Sequence, residues 1–176
     1  MEWLLISYRL PAEPSRHRVA VWRELRRMGA VSLQQATWAV PSRGDFAEVV
    51  SKVVGLVEAA GGEALVFNAA PRDELGEARL EALFTELREE EWQEFLAECG
   101  KFDAEIAKEI RIRKFTAPEL DEEEQNLERL RRWFRELRRR DVFGARSQAE
   151  AERRVKGCEV RLEEFAARVY EHGGGA

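Results

Sequence analysis

The segment WLLISYRLPAEPSRHRVAVWRELRRMGAVSLQQATWAVP, residues 3–41, carries the pattern that decides the fold. It opens with WLLISYRL, a short apolar run followed by prolines, which is typical of a buried strand. Apolar side chains at helical spacing follow over residues 15–30, so we predict a helix there with Ser15 as its N-cap. The run AVSLQQATWAVP then returns to a strand pattern, and its apolar face changes sides around Gln34 and Gln35. This change indicates a bulge or two strands joined by a very tight turn.

The apolar positions of this segment also predict which side chains are buried. One stripe of the helix recurs every three or four residues and should face the core, while most of its arginines should face outward. Leu5 in the first strand and Trp38 near the end of the segment should be buried as well. The helix residues that we expect in the core are Val19, Trp22, Leu25 and Met28.

The next thirty residues repeat the alternation of helix and strand. An amphipathic helix is predicted over residues 45–60, two glycines end it, and EALVFNAAP supplies a last strand. The resulting order, β-α-β-β-α-β, predicts an antiparallel sheet with two helices on one face, which is the ferredoxin-like plan of α+β proteins. We therefore expect a first domain over residues 1–71.

The remainder of the chain, residues 72–176, has an almost purely helical pattern. Its apolar residues form narrow stripes over three stretches, about 72–114, 119–140 and 148–170, separated by short turns. Narrow stripes and short turns favour an antiparallel bundle or hairpin. We predict that this helical extension packs on the sheet domain.

Composition restricts the classes of function. The chain has 176 residues, 29 Lys and Arg against 34 Asp and Glu, and a net charge of −5. This balance argues against a general polyanion binder but leaves room for a local basic patch. No apolar run approaches the length of a membrane span and no signal-peptide pattern is present, so we expect a cytoplasmic protein without a membrane partner. Cys99 and Cys158 fall on apolar helix faces, which favours two buried thiols over a disulfide.

The opening segment resembles the start of the chromate-resistance regulator family called ChrB. That family begins with a W-LL-LP strand, an R-V-x-x-W-R-x-L-x-x-x-G-A helix and a strand ending in W-x-x-P, found here at residues 3–11, 18–30 and 38–41. The resemblance continues through the helical part, at residues 127–144 and 158–169. It implies a regulatory role in chromate resistance. Full-length members carry a second, C-terminal domain, and functions that depend on that domain are not expected of this chain.

A more distant likeness concerns catalysis. The order of elements looks like the small CRISPR-adaptation proteins and part of the PaaX-type repressors, and nuclease relatives carry a metal-binding Asp at the end of the first strand. Here that region reads Ser7, Tyr8 and Arg9, and the next carboxylate is Glu13. Because a two-metal mechanism needs carboxylate ligands, a metal-dependent nuclease is disfavoured. With no phosphate loop, nucleophile elbow or metal motif in the sequence, we expect no enzyme, no metal and no cofactor.

The predicted first helix begins with cations, against its own dipole. Arg16, His17 and Arg18 lie in the turn where acidic residues are usual, and Arg9 leaves the preceding strand nearby. Helix-terminal N–H groups with guanidinium groups suit a tetrahedral oxyanion or a phosphate. We therefore take these four residues as the candidate anion site. The alternative is that the side chains point to water or pair with Glu13 and Glu24, at little cost.

A second candidate lies on the helix predicted over residues 119–140. Its last turns could present four arginines to nucleic acid, although acids at its start and arginines at its end are also what the helix dipole favours. A row of glutamates on the preceding helix, from Glu86 to Glu98, is interpreted as an acidic solvated face rather than a metal site. The arginines are Arg131, Arg135, Arg138 and Arg139.

Two classes of function remain open at this point. The first is a non-enzymatic regulatory module associated with chromate resistance, with chromate or another oxyanion, or DNA, as partner. The second is a protein-interaction or nucleic-acid-binding adaptor without a chromate role. In either class the unpaired edges of a small sheet favour a homodimer, through strand or helix contacts.

Overall fold

A computed structural model describes residues 1–173 of the chain. Within this range an α+β fold is present, in which a β-α-β-β-α-β arrangement precedes a series of helices. This architecture confirms the predicted fold class. In chain order the elements are β1 (Trp3–Arg9), α1 (Ser15–Met28), β2 (Val31–Gln34), β3 (Thr37–Pro41), α2 (Phe46–Ala59), β4 (Glu63–Ala69), α3 (Glu74–Arg111), α4 (Ala117–Arg140) and α5 (Gln148–Gly173).

The four strands form an antiparallel sheet in the order β2-β3-β1-β4. Strand β1 lies inside the sheet, and its Leu5 faces Ala39 of β3 on one side and Phe67 of β4 on the other. Helices α1 and α2 pack on each other, and α2 also packs against β1 and β4. Ile6 of β1 is completely buried. Because β3 and β1 have neighbours on both sides, β2 and β4 form the two edges of the sheet.

The change of apolar face in the second strand region has both of the predicted causes. Two strands are present, and they are joined by a tight turn through Gln35 and Ala36, in which Ala36 has a positive φ of 62°. The register of β2 against β3 also shifts between Ser32 and Gln34, which is the mark of a bulge. The second strand region is thus a hairpin with a bulge beside its turn.

Helix α1 corrects two predictions. Pro14 occupies the N-cap position and Ser15 is already helical, so the expected Ser15 cap is wrong. Trp22 was expected in the core, but 49% of it is exposed, and Val19 is 41% exposed. The buried stripe instead runs through Val21, Leu25 and Met28. It therefore contains Val21 where Trp22 was predicted.

The physical reason for this correction is the rotation of the helix. One residue corresponds to about 100° around a helix axis, so burying Val21 turns its neighbour Trp22 away from the core. The guanidinium carbon of Arg26 lies 5.7 Å from the centre of the Trp22 ring and partly covers it. Trp38 is buried and Leu5 is partly buried, as expected.

The chain divides into two compact units, Met1–Leu87 and Arg88–Ala176, and α3 contributes to both. Within the first, Phe84 of α3 packs edge-to-face on Trp3 and on Phe46. The predicted boundary near residue 71 and the packing of the helical extension on the sheet remain predictions. The second unit has its own core of buried side chains from α3, α4 and α5.

A buried carboxylate joins three segments of the second unit. Asp141, just after α4, accepts hydrogen bonds from the indole nitrogen of Trp92 at 2.8 Å and from the side chain of Gln148 at 3.2 Å. It also accepts the backbone N–H groups of Gly144 and Ala145, each at 3.0 Å. These bonds shape the short connection through which the chain returns from α4 into α5.

A second carboxylate fixes the beginning of α5. Glu89 of α3 accepts the backbone N–H of Ser147 at 3.0 Å and its hydroxyl at 2.5 Å, together with side-chain bonds from Arg146 and Gln93. Burial acts to raise the pKa of Glu89, but these hydrogen bonds outweigh it and hold the pKa at about 2. The ionised form of Glu89 is thus favoured by folding.

This low pKa predicts a pH-dependent loss of stability. Because the folded pKa lies below that of an unfolded glutamate, Glu89 stabilises the fold above about pH 5, and the contribution disappears as the pH falls towards about 2. Glu89→Gln should lower the free energy of unfolding by about 2–3 kcal/mol at pH 7 and flatten this acid dependence.

Urea denaturation between neutral and acidic pH measures the effect. The matched control is Glu90→Gln, an exposed neighbour on the same helix, which should change stability by less than about 0.5 kcal/mol. Equal effects of the two substitutions at neutral pH would contradict the assigned role of Glu89.

Candidate functional site

The first turn of α1 lacks an acidic residue that would accept hydrogen bonds from its free backbone N–H groups. Its N-cap, Pro14, has an extended conformation and provides no side-chain hydrogen bond to the first turn, and no acidic residue lies in that turn. The N–H group of His17 reaches the carbonyl of Pro14 at 3.3 Å. The positive end of the helix dipole therefore coincides with Arg16 and Arg18, both of which are exposed.

The four residues of the candidate anion site have different surroundings. Arg9, at the end of β1, pairs at 2.9 Å with Glu63, which is its register partner on β4. His17 is partly buried. In the part of the chain that the structure describes, no ion pair is found for Arg16 or Arg18, and no contact brings Arg9 to either. Arg9 thus belongs to a different local environment from the other three.

The carboxylate within α1 is shared between a lysine of α2 and one arginine of the helix. Glu24 is the one acidic residue within the helix, and it pairs with Lys52 of α2 at 2.9 Å. Its second partner is Arg27, at 3.9 Å. With five arginines against a single glutamate, α1 has a strong positive charge.

The exposed side of α1 combines these charges with an aromatic ring. We call Arg16, Arg18, Trp22, Arg23 and Arg26 the basic face; all of them are exposed. The Arg26 guanidinium lies within cation–π distance of the Trp22 ring. A half-exposed indole among guanidinium groups is typical of surfaces that bind nucleic acid. Sequence reasoning missed Trp22 because it treated the ring as core, although arginines flank it at positions 18, 23 and 26.

The second candidate set, on α4, is divided by the structure. Arg131 pairs with Glu159 of α5 at 2.7 Å, and Arg135 pairs with Glu128 at 3.1 Å. Arg138 and Arg139 are exposed. Three of the four predicted arginines, without Arg131, line a surface cavity of about 600 Å³ together with Arg132 and Glu136. The charge of this cavity is diluted by the neighbouring acids.

A groove between α3 and α4 has the opposite character. It measures about 800 Å³, and four glutamates line it against two cations, Lys101 and Arg129. The glutamates are Glu94, Glu98, Glu105 and Glu123. Burial raises the pKa of Glu123, and nearby carboxylates such as Glu105 raise it further. Negative walls of this kind do not suit an oxyanion. Within residues 1–173, no group of three or more His, Cys, Asp or Glu side chains could hold a metal ion.

The fold and the basic face define a class: an α+β sheet domain with attached helices and a cationic surface helix. The sequence model of the family described as protein ChrB, N-terminal, matches residues 18–175, and the chain belongs to this family. The resemblance found in the sequence is confirmed, and membership indicates a regulatory protein associated with chromate resistance. A search of curated proteins found no match. Among the described residues, none of the helices combines the length and apolar character needed to cross a membrane.

The exposure of Trp22 predicts a small effect of its removal on stability. Trp22→Ala should lower the free energy of unfolding by less than about 1 kcal/mol, because half of the ring already contacts water. Trp38→Ala, which empties a buried position, should cost about 3–5 kcal/mol. Urea denaturation followed by circular dichroism compares the two variants. Similar losses in both would contradict the orientation of α1.

Proposed function

We propose that this chain is a non-enzymatic regulatory module of chromate resistance that contacts the phosphates of DNA through the basic face of α1. The observation that supports it best is the half-exposed Trp22 among arginines that no described carboxylate neutralises, apart from Arg27 beside Glu24. Guanidinium groups bind phosphate oxygens in a bidentate manner, and an indole stacks on bases or sugars. Membership of the ChrB N-terminal family supports the regulatory part of the proposal.

The spread of the charges favours a polyanion over a single small anion. Arg16 and Arg26 are ten residues apart, which corresponds to about 15 Å along the helix axis. One tetrahedral ion can touch only the groups that converge on it, whereas successive phosphates of a nucleic acid follow an extended surface. Chromate or another oxyanion at Arg16, His17 and Arg18 is the second candidate, and a protein-interaction adaptor without a chromate role is the third.

The absence of catalysis is part of the proposal. Strand β1 ends in Ser7, Tyr8 and Arg9, where nuclease relatives carry a metal-binding carboxylate. Arg9 instead forms an ion pair with Glu63. Regulation through binding alone requires only the surface of α1, and no reacting group has to be positioned there.

Removing two charges from the basic face tests the proposal. The double variant Arg16→Gln and Arg18→Gln should weaken binding to a short mixed-sequence DNA duplex, measured by fluorescence anisotropy at about 50 and about 200 mM salt. The slope of log affinity against log salt should fall by about 2, since each phosphate contact contributes about 0.9. Without ligand the variant should be as stable as the parent or more stable by about 0.5–1 kcal/mol, because the removed cations oppose the helix dipole.

The control is Arg43→Gln, an exposed arginine in the loop before α2, which should leave the salt slope unchanged. Thermal melts with chromate address the second candidate. If chromate stabilises the parent but not the double variant, and the duplex binds neither, the small-anion site replaces the DNA interface. Equal DNA binding by parent and double variant would contradict the proposal.

We also propose that the chain forms a homodimer through the free edge of β4. This strand pairs with β1 on one side only, and Leu65, Val66 and Phe67 are exposed by 62%, 40% and 50%. An exposed apolar stretch on an edge strand favours pairing with another strand. A two-fold axis near Val66 would place Leu65 of one copy opposite Phe67 of the other, in a closed and symmetric interface.

Light scattering of the full chain tests this association. The parent should have the mass of a dimer, and the double variant Leu65→Lys and Phe67→Lys should be a monomer, because like charges would face each other across the axis. Leu75→Lys, at an exposed position on α3, is the control and should remain dimeric. A monomeric parent at high concentration would contradict the proposal.

A further inference from the structure

The two cysteines of the chain meet inside the second unit. Cys99 lies on α3 and Cys158 on α5, and both side chains are completely buried and reduced. The sulfur of Cys158 lies 3.9 Å from the carbonyl oxygen of Cys99. The Cys158 side chain therefore packs directly against the residue that carries the other thiol. A contact between residues so far apart in sequence is created by the fold alone.

Polar groups cover this thiol pair on its outer side. The Cys158 sulfur lies 3.9 Å from a carboxylate oxygen of Asp103, which in turn pairs with Arg154 at 3.2 Å. The side chains of Asp103 and Arg154 are 20% and 44% exposed. A partly exposed ion pair is therefore a direct neighbour of the Cys158 thiol, in addition to the apolar side chains of the core.

The two thiols are chemically unequal. The hydrogen bond from Cys158 and the positive charge of Arg154 lower the pKa of Cys99 against the effect of burial. The same hydrogen bond, together with burial, raises the pKa of Cys158. Thiolates are the nucleophiles in thiol oxidation. Cys99, whose pKa is lowered, is therefore assigned as the attacking cysteine, and Cys158, whose sulfur lies beside the carboxylate of Asp103, as the resolving cysteine.

Each cysteine also has a glycine neighbour that packing does not require. A methyl group on Gly100 would lie 3.8 Å from a guanidinium nitrogen of Arg154, an ordinary contact, and one on Gly157 would meet nothing within 4 Å. Alanine would fit at both positions and would favour the helix more strongly. The glycines therefore weaken α3 and α5 beside the thiols, where small backbone shifts are needed for two sulfur atoms to bond.

We propose that Cys99 and Cys158 are a redox-sensitive pair that hydrogen peroxide converts into a disulfide joining α3 to α5. The Cys99 thiolate attacks one oxygen of peroxide, the O–O bond breaks, and Cys99 sulfenic acid and hydroxide are formed. The Cys158 sulfur then attacks the Cys99 sulfur, the S–O bond breaks, and water leaves with the Cys158 proton. The thiols lose two electrons in total and peroxide accepts them. The inference is independent of the basic face and of DNA.

The competing interpretation is that both thiols are small apolar core residues. The two interpretations predict opposite effects of folding on oxidation. Core residues are protected by the fold, so peroxide should reach them faster in the unfolded chain. A redox pair is assembled by the fold, so an intramolecular disulfide should form faster in the folded chain.

The experiment exposes the full chain to hydrogen peroxide, with and without denaturing urea. Samples are quenched with N-ethylmaleimide in denaturant, and intact mass is measured. The folded chain should lose the mass of two hydrogen atoms and both alkylation sites about tenfold faster than the unfolded chain, and dithiothreitol should restore both. Slower oxidation of the folded chain, or disulfides that join two chains, would overturn the proposal.

Single-cysteine variants test the order of the two steps. Cys158→Ser should accumulate a sulfenic acid at Cys99 that dimedone traps. Cys99→Ser should react several-fold more slowly, because Cys158 stays buried beside the carboxylate of Asp103. Equal rates in both variants would overturn the assigned order. The comparison of folded and unfolded parent needs no variant, so it stands even where a substitution disturbs folding.

Discussion

Four hydrogen-bond donors from α3, the connection after α4 and the start of α5 meet at the carboxylate of Asp141. A buried charge is costly unless its acceptor sites are used, and here the indole of Trp92 and two backbone N–H groups use them. The same bonds decide where α4 ends and how the chain enters α5. The apolar faces of α4 and α5 can pack on each other only because the chain reverses direction in this connection. The hydrogen bonds of Glu89 to Ser147 hold the end of the same connection.

The sequence was sufficient for the order and type of the elements because those signals are local. Period-two and period-3.6 apolar patterns, prolines and paired glycines predicted the arrangement of strands and helices. The hairpin of β2 and β3 was visible in the change of face at Gln34. The exposure of Trp22 was not predictable in this way. The rotation of α1 is decided by the fit of Val21, Leu25 and Met28 against distant elements, and hydrophobicity alone assigns a tryptophan to the core.

The candidate sites show the same division between local and long-range information. Cations at the start of α1 could be found from sequence, because the dipole of a helix follows from its direction. The pairing of Arg9 with Glu63 depends on the register of β1 against β4, and the meeting of Cys99 with Cys158 depends on the packing of α3 with α5. Neither partner is a sequence neighbour. Composition gave the residues, and only the tertiary structure gave the pairs.

The position of Trp22 has an optical consequence. Trp3, Trp38 and Trp92 are buried and Trp133 is partly buried, whereas Trp22 is half-exposed beside a guanidinium group. Its fluorescence therefore reports on a different environment from that of the buried indoles. An anionic quencher such as iodide is concentrated near the arginines of α1 by their charge, and a ligand on the same surface displaces it. Trp22 is thus an intrinsic fluorescent probe of ligand binding to the basic face of α1, and no added label is needed.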